Sequence, residues 1–490
     1  MSTPVDLTKA PAAPPERLLP PTPPLFPARW TGPTAPAPRA VLGAAVAGGA
    51  GLAVAVPEDA AGVGWVVAAL VLAATTWVVR RPPHPVDAAW GLLAVVLAGV
   101  AAVRDAEWLV TICLLAACAA GSLAVGGRSF RGVVTGALVL PVAALRGVRW
   151  AGRGLSVARV NLRMALSAAV GIGLVAVFGA LLASADAAFA GLVDGLVPAW
   201  DVDGVARVLW LSGLGAVGTV GACFLLVAPP DPPQPRLVPP SRLRPAEWAL
   251  PVGLLVGLFA VFVAVQFATL FGSDAHVLGT TGLTYAEYAR SGFWQLLAVT
   301  VLALGVIVLG ARWAPRRAGR RGLLGALAVL SLVIVASALS RMWLYQEAYG
   351  FTVLRLLVLA CELWLGLGFL LVLSTVLARR PRRPLRGMVV AGAVALVALA
   401  VLDPERFVAG QNVARYAATG QIDASYLSQL SADAVPVLDG LPEPLRTCAL
   451  GPIAARTDSS GDWRSANLGR ARAADVLAGV TPSRGCGSQY

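Results

Sequence analysis

The sequence predicts an all-α, polytopic membrane protein: a transmembrane helix bundle followed by a small helical C-terminal domain. Three observations predict it. Hydrophobic side chains make up 57% of the chain and charged ones 13%, and the mean hydropathy of +0.74 is far above that of a soluble globule. Apolar runs long enough to cross about 30 Å of hydrocarbon recur along the chain, separated by Arg, Pro or Asp clusters. Runs such as VGLLVGLFAVFVAVQFATL are apolar on every face, unlike the alternating segments of a membrane β-barrel.

Residues 1–39 are Pro-rich and lack both the apolar core and the cleavage site of a secretory signal, so they read as a disordered cytoplasmic tail. Residues 40–402 form the predicted bundle. Eleven spans are expected: Ala40 to Val56, Gly62 to Val79, Val86 to Val103, Trp108 to Val125, Met164 to Ala183, Val205 to Val227, Trp248 to Phe271, Ser291 to Gly310, Gly322 to Trp343, Phe351 to Leu377, and Gly387 to Leu402. A further stretch, GVVTGALVLPVAAL, is interrupted by Pro141 and ends against Arg146, which suits an interfacial segment better than a crossing. In the first span, Gly43, Ala47 and Gly51 make a small-residue stripe that permits close helix packing.

Arginines set the expected orientation. They crowd alternate loops at Arg80 and Arg81, Arg128 to Arg163, Arg236 to Arg244, Arg312 to Arg321, and Arg379 to Arg386. The intervening loops carry Glu58 and Asp59, Asp105 and Glu107, and Asp186 to Asp203. Under the positive-inside rule the N-terminus is cytoplasmic and the C-terminus extracytoplasmic, in a bacterial cytoplasmic membrane. Beyond Leu402 the composition becomes ordinary, and residues 403–490 read as short amphipathic helices broken by Gly and Pro, an extracytoplasmic domain. Cys448 and Cys486, the only cysteines in that tail, are the expected disulfide pair.

Several function classes lack their signatures. The net charge of +13 lies in loops between apolar runs rather than in a basic soluble face, so no nucleic-acid partner is expected. His84 and His276 sit in loops on opposite predicted sides, and no metal or other cofactor site is expected. Phosphate-cradling glycine loops and the nucleophile elbow are missing from the sequence.

The candidate site is polar and near the outer face. Glu362 stands about ten residues into the tenth span, where an unpaired carboxylate is costly and needs a partner or a proton. Arg355 shares its helical face two turns earlier, too far for a direct contact, so a bridging water or another helix is the expected partner. Glu287 and Arg290 in TYAEYARSGFWQLL, and Arg341, Glu347, Tyr349 and Arg355 in RMWLYQEAYGFTVLRL, bring both charge signs among aromatics. They suit either an aromatic belt with capping charges or an outward-facing ligand site.

These two stretches, together with DPERFVAGQNVARYAATGQIDASYLSQLSADAVPVL, resemble a bacterial membrane family of unknown function, the one numbered DUF4173, and its relatives numbered DUF4153. DWRSANLGRARA is similar to that family's terminal helix, with Ala466 where an aromatic is expected. The resemblance implies a multi-pass protein with an extracytoplasmic C-terminal segment and supplies no catalytic residue.

The expected function is a non-enzymatic scaffold or sensor in the lipid bilayer, coupled to an unidentified membrane or envelope protein. A secondary transporter with a site near Glu362 is the alternative. A lipid-linked glycosyltransferase-like enzyme, using Glu58 or Asp59 in an outward cavity, comes third.

Overall fold

A computed structural model describes residue 30, residues 32–76, 79, 85–126, 131–157, isolated positions between 167 and 186, and residues 202–229, 245–271, 293–313, 318–377, 384–457 and 461–483. Among these residues the regular structure is entirely helical. The large helices are α1 (Arg39–Ala55), α2 (Val63–Thr76), α3 (Pro85–Val103), α4 (Glu107–Gly126), α5 (Arg131–Val157), α6 (Val202–Val227), α7 (Pro245–Phe271), α8 (Phe293–Trp313), α9 (Ala318–Tyr349), α10 (Val353–Leu377) and α11 (Pro384–Leu402). Shorter elements follow: α12 (Pro404–Thr419), α13 (Ala424–Leu427), a 3-10 turn (Ala432–Ala434), α14 (Val435–Leu438), α15 (Leu445–Arg456), a second 3-10 turn (Trp463–Ser465) and α16 (Leu468–Ala478).

Six described helices, α3, α4, α6, α7, α9 and α10, are long and apolar enough to cross a membrane, and α11 with α12, bent by 52°, makes up to seven. This is fewer than the eleven expected spans. Part of the reason is length: α2, with 14 residues, reaches only about 21 Å at 1.5 Å per residue, short of a hydrocarbon core of about 30 Å. The described helix α1, with 17 residues, is likewise short, and the apolar stretch of α8 is confined to Gln295–Ala311. The expected span from Met164 to Ala183 falls largely outside the described residues.

The bundle is apolar outside as well as inside, as lipid solvent requires. On α7 only 22% of the apolar window is buried, and Leu254, Leu258 and Val261 point outward. Inside, one core joins α7, α8, α9, α10 and the start of α11 through Phe259, Ile307, Leu327 and Phe369. A second joins Trp30 with α1, α5 and α6. A third ties α3 and α4 to α11 through Leu97, Leu109 and Leu399.

α5 departs from the expected short segment: it runs unbroken through Pro141 and continues past Arg146 to Val157. It packs closely on the later turns of α6, where Ala144 and Gly147 meet Val220 and Gly221 and Trp150 meets Phe224, and beside the end of α4, where Leu140 reaches Ser122 and Val139 lies against Gly126. Its second half is held by residues 30–38: Trp150 donates to the Ala35 carbonyl (3.0 Å) and Arg146 to that of Trp30 (3.0 Å). This placement follows from its arginine-bearing face, which belongs at a headgroup boundary.

The small-residue stripe also differs from expectation. A Cβ on Gly43 meets nothing within 4 Å, whereas one on Gly49 falls 2.6 Å from the Ser212 carbonyl of α6. The close-packed face is therefore Gly48 and Gly49 against Ser212, Gly215 and Thr219. Gly51 does meet a neighbour, the Val71 side chain of α2. We expect Gly49→Leu to cost about 1–3 kcal/mol by forcing α1 from α6, and Gly43→Leu to stay within about 0.5 kcal/mol. Thermal unfolding of the two variants in detergent checks the contrast.

Candidate functional site

Short helices after α11 enclose a core of their own, built from Leu427, Leu438, Leu450, Ile453 and Ala473. This layer sits on one end of the bundle, where α1, α3, α9 and α11 terminate and α2, α4 and α10 begin. Helix ends carry backbone groups with no partner inside the helix. The layer supplies many of those partners.

Arg104, just past α3, caps the C-terminus of α11. Its Nε donates to the Ala400 carbonyl (2.6 Å) and Nη2 to that of Val401 (3.3 Å), while Nη1 donates to the Asp403 carboxylate. Both side chains of this ion pair are about nine-tenths buried, at 10% and 9% exposure. Asp403 occupies the left-handed region, φ 59°, between α11 and α12. A side chain other than Gly is costly there, and the Arg104 contacts fix the turn.

The next residues exchange caps with the C-terminal layer. Asp433 accepts through Oδ2 from the backbone N–H groups of Asp105 (2.7 Å) and Ala106 (3.2 Å), at the start of α4. In return, Asp105 accepts from the Ala432 N–H (3.2 Å) and pairs with Arg470. Carboxylates at helix N-termini are favoured by the helix dipole. Glu405 holds the same corner from α12, accepting from Trp108 Nε1 (2.9 Å) and from the Ser431 N–H. Asn467 Nδ2 donates to the Ala101 and Arg104 carbonyls, both at 2.8 Å, which closes the end of α3.

Similar contacts hold the α9–α10 hairpin. Asn412 accepts from the Phe351 N–H (3.0 Å) and donates to its carbonyl (2.8 Å). The Tyr426 hydroxyl accepts from the Val353 N–H (2.8 Å), and Arg415 donates to the Ala348 carbonyl (2.7 Å). Gly350 turns the hairpin at φ 84°, and a Cβ there would come 2.7 Å from Asn412 Oδ1. Glycine serves both demands.

Beside this junction lies a shallow crevice lined by Asp403, Arg406, Asp433, Pro436, Gly469 and Arg472. The Oδ1 atoms of Asp403 and Asp433 are buried without hydrogen-bond partners. Asp433 is held up at about 7, chiefly by burial and next by the Asp403 carboxylate, against the pull of the Asp105 N–H. Burial raises Asp403 as well, opposed by the Arg104 guanidinium and by the backbone N–H of Arg406.

Among the described residues expected to form a site, Glu362 and Arg355 are not brought together. Glu362 is 1% exposed, in the buried seam of α10 with Val358, Leu365, Phe369, Val372 and Val376, and neither carboxylate oxygen has a hydrogen-bond partner. Arg355 turns away from it: its guanidinium lies over the Tyr345 ring (4.4 Å) and donates to the Gly350 carbonyl. Tyr349 stacks on Tyr345 at 4.9 Å, while Glu347 is exposed and accepts from Trp343 Nε1 (2.8 Å). These contacts fit an aromatic belt at a hairpin. Arg341 is half-buried on α9. Glu287, Arg290, His84 and His276 lie outside the described residues. Glu58 pairs with Arg207 (2.9 Å). Cys448 is disulfide-bonded, and Cys486 lies outside the described residues.

Sequence reasoning missed the junction. Asp105 read as a charge obeying the orientation rule, and Arg104 drew no notice. The available signal was the pairing of two cues: both charge signs in RDAE immediately after an apolar run, and Asp-Pro at the end of another.

The architecture is that of a multi-pass membrane protein whose C-terminal helices close one end of its bundle. The chain belongs to the DUF4153 family, a domain of unknown function, whose model matches residues 91–441. The match supports the resemblance to the family numbered 4153 and not that to 4173. No curated protein and no solved structure matches the chain.

Proposed function

We propose that this protein is a non-enzymatic membrane scaffold or sensor, in which an extracytoplasmic C-terminal domain, residues 403–490, is coupled to an eleven-span bundle. The observation that carries this reading is the Arg104 clasp. A single guanidinium ties the end of α3 to the end of α11 and to the turn that launches the C-terminal layer. Any partner that pulls on or covers that layer thereby acts on two bundle helices at once. Supporting the span count are α1, α2 and α8, short apolar helices that suit a crossing where the bilayer is locally thinned.

Arg104→Ala leaves Asp403 buried without its cation, which costs about 3–5 kcal/mol. Hydrogen exchange of the full chain in detergent is expected to speed up across residues 404–480 while α7 to α10 stay protected. Unchanged exchange there would remove the coupling.

The alternating arginine-rich loops support a cytoplasmic N-terminus and an outer C-terminal layer, and on this reading α5 lies along the headgroup boundary with its arginines, which keeps that parity. Gln421→Cys is expected to react with a membrane-impermeant maleimide in intact cells. Labelling only after lysis would reverse the orientation.

A second reading, a secondary transporter, is favoured by one observation: the unpartnered Glu362 carboxylate in the bundle core. On that reading Glu362→Gln abolishes proton flux in proteoliposomes while the protein still inserts. Equal flux in both proteins would take the carboxylate out of the mechanism.

A further inference from the structure

We propose that Asp433, together with Asp403, is a proton-binding site through which the pH outside the membrane sets how firmly the C-terminal layer is held to the bundle. This inference rests on the coupling reading above and names its ligand.

The geometry makes the case. Asp433 is 4% exposed and Asp403 6%. Each spends one oxygen on the clasp: Asp433 Oδ2 on the Asp105 and Ala106 N–H groups, and Asp403 Oδ2 on Arg104. Each leaves its Oδ1 buried outside any well-formed hydrogen bond, although the Arg406 backbone N–H also acts on the Asp403 carboxylate, and both residues line the same crevice. Asp433 Oδ1 is therefore the more expensive of the two. One proton taken from solvent replaces the buried Asp433 charge with a neutral acid, a change the nearby Asp403 carboxylate favours, and only an O–H bond forms. This is the behaviour expected of paired buried carboxyls, which titrate as a unit.

Gly469 keeps the site closed. A Cβ at that position would overlap Asp433 Oδ1, so the first turn of α16 lies directly against the carboxylate. The charges around the pair come from every neighbouring element: Arg104 and Asp105 from the α3–α4 loop, Glu405 and Arg406 from α12, and Arg470 and Arg472 from α16. Arg104 and Arg470 are committed to Asp403 and Asp105. Arg406 and Arg472 are exposed. They stand at the mouth of the crevice.

The sign follows from linkage. Asp433 is raised from 3.8 to about 7 in the docked state. Released into water it returns to the ordinary carboxylate range, so between those limits the docked layer binds more protons than the released one. Docking is therefore firmest below about pH 4 as far as this pair is concerned, weakens as pH rises toward about 7, and is fully penalised above it.

The test is hydrogen exchange of the full-length protein in lipid nanodiscs, corrected for intrinsic exchange. Peptides spanning residues 404–440 and 461–480 are followed from about pH 5.5 to about pH 8. Exchange in the wild type is expected to rise on the order of tenfold over that range, from the linkage of a single shifted proton. Asp433→Asn, a permanent stand-in for the neutral acid, is expected to remain protected and flat. Asp403→Asn removes the like charge and should move the midpoint to lower pH. In the infrared, a protonated-carboxyl band titrating near neutrality in the wild type should be missing from Asp433→Asn.

A flat wild-type profile would overturn the proton site, as would an Asp433→Asn profile identical to the wild type. The Arg104→Ala variant at about pH 5.5 separates the two ideas, because it frees the layer whatever the state of Asp433. If Arg104→Ala frees the layer and pH does not, coupling stands and the proton site falls. If neither frees it, the coupling falls first.

Discussion

What the rest of this structure depends on is the need to satisfy backbone groups at the ends of apolar helices. Inside lipid a helix satisfies its own peptides, but its last carbonyls and first N–H groups have no partner within the helix. On one face of this bundle many of these groups are bound by side chains of the C-terminal layer or of the α3–α4 loop. Arg104 takes the carbonyls of α11, Asn467 those of α3, and Arg415 one from α9. Asp433 and Tyr426 take N–H groups at α4 and α10. Cations and amides sit at C-termini, and carboxylates and a hydroxyl oxygen at N-termini. This distribution is what the helix dipole favours.

This solution concentrates charge in a small, dry volume. Capping with neutral residues would leave the layer held by single hydrogen bonds, each contributing about 1 kcal/mol. Charged caps are stronger when buried but must balance in sign. At the junction the balance is incomplete, since Asp403 and Asp433 each keep an oxygen without a donor. The strained backbone at Asp403 belongs to the same corner. Tight capping and an unsatisfied carboxylate pair are thus two sides of one arrangement. Glu362 is the opposite case: a carboxylate buried in the middle of α10, in line with apolar side chains.

Much of this was legible in the sequence because hydropathy is a long-range, redundant signal. A run of about 20 apolar residues survives any single substitution, so α3, α4, α6, α7, α8, α10 and α11 begin and end close to the expected spans, whereas α9 continues to Tyr349 and α5 to Val157. Short apolar helices such as α2 carry the same composition but not the length, and composition alone does not say whether they cross. Close packing was expected on the right helix, α1, but along Gly43, Ala47 and Gly51, whereas the face against α6 carries Gly48 and Gly49. Glycine and alanine fill α1 so densely that every four-residue stripe in it looks alike. The junction was hidden for another reason. Its partners lie roughly 300 or more residues apart, Arg104 with Asp403 and Asp105 with Arg470, and no local pattern marks a pair at such separation. Polar residues in the segment from Asp403 to Leu438 could be noticed. Their assignment to particular helix ends required the fold.

The extent of the family match divides the junction into two parts. Residues 91–441 contain Arg104, Asp105, Asp403, Glu405, Asn412, Tyr426 and Asp433, so the matched region by itself holds the Arg104 clasp, the Asp433 cap and the hairpin clamp. The remaining contacts join segments that lie beyond it on both sides. The Val63 N–H donates to the Ala466 carbonyl (2.9 Å), and Arg470 donates to that of Ala61 (2.8 Å). Here α1 and α2, which precede the match, are sewn to α16, which follows it. Arg470 also pairs with Asp105, so the outer stitch is anchored on the inner clasp. Helix ends outside the matched region need partners as much as those within it. They find them in each other, and because Arg470 binds both the Ala61 carbonyl and the Asp105 carboxylate, the same arginine ties this outer set of caps to the inner one.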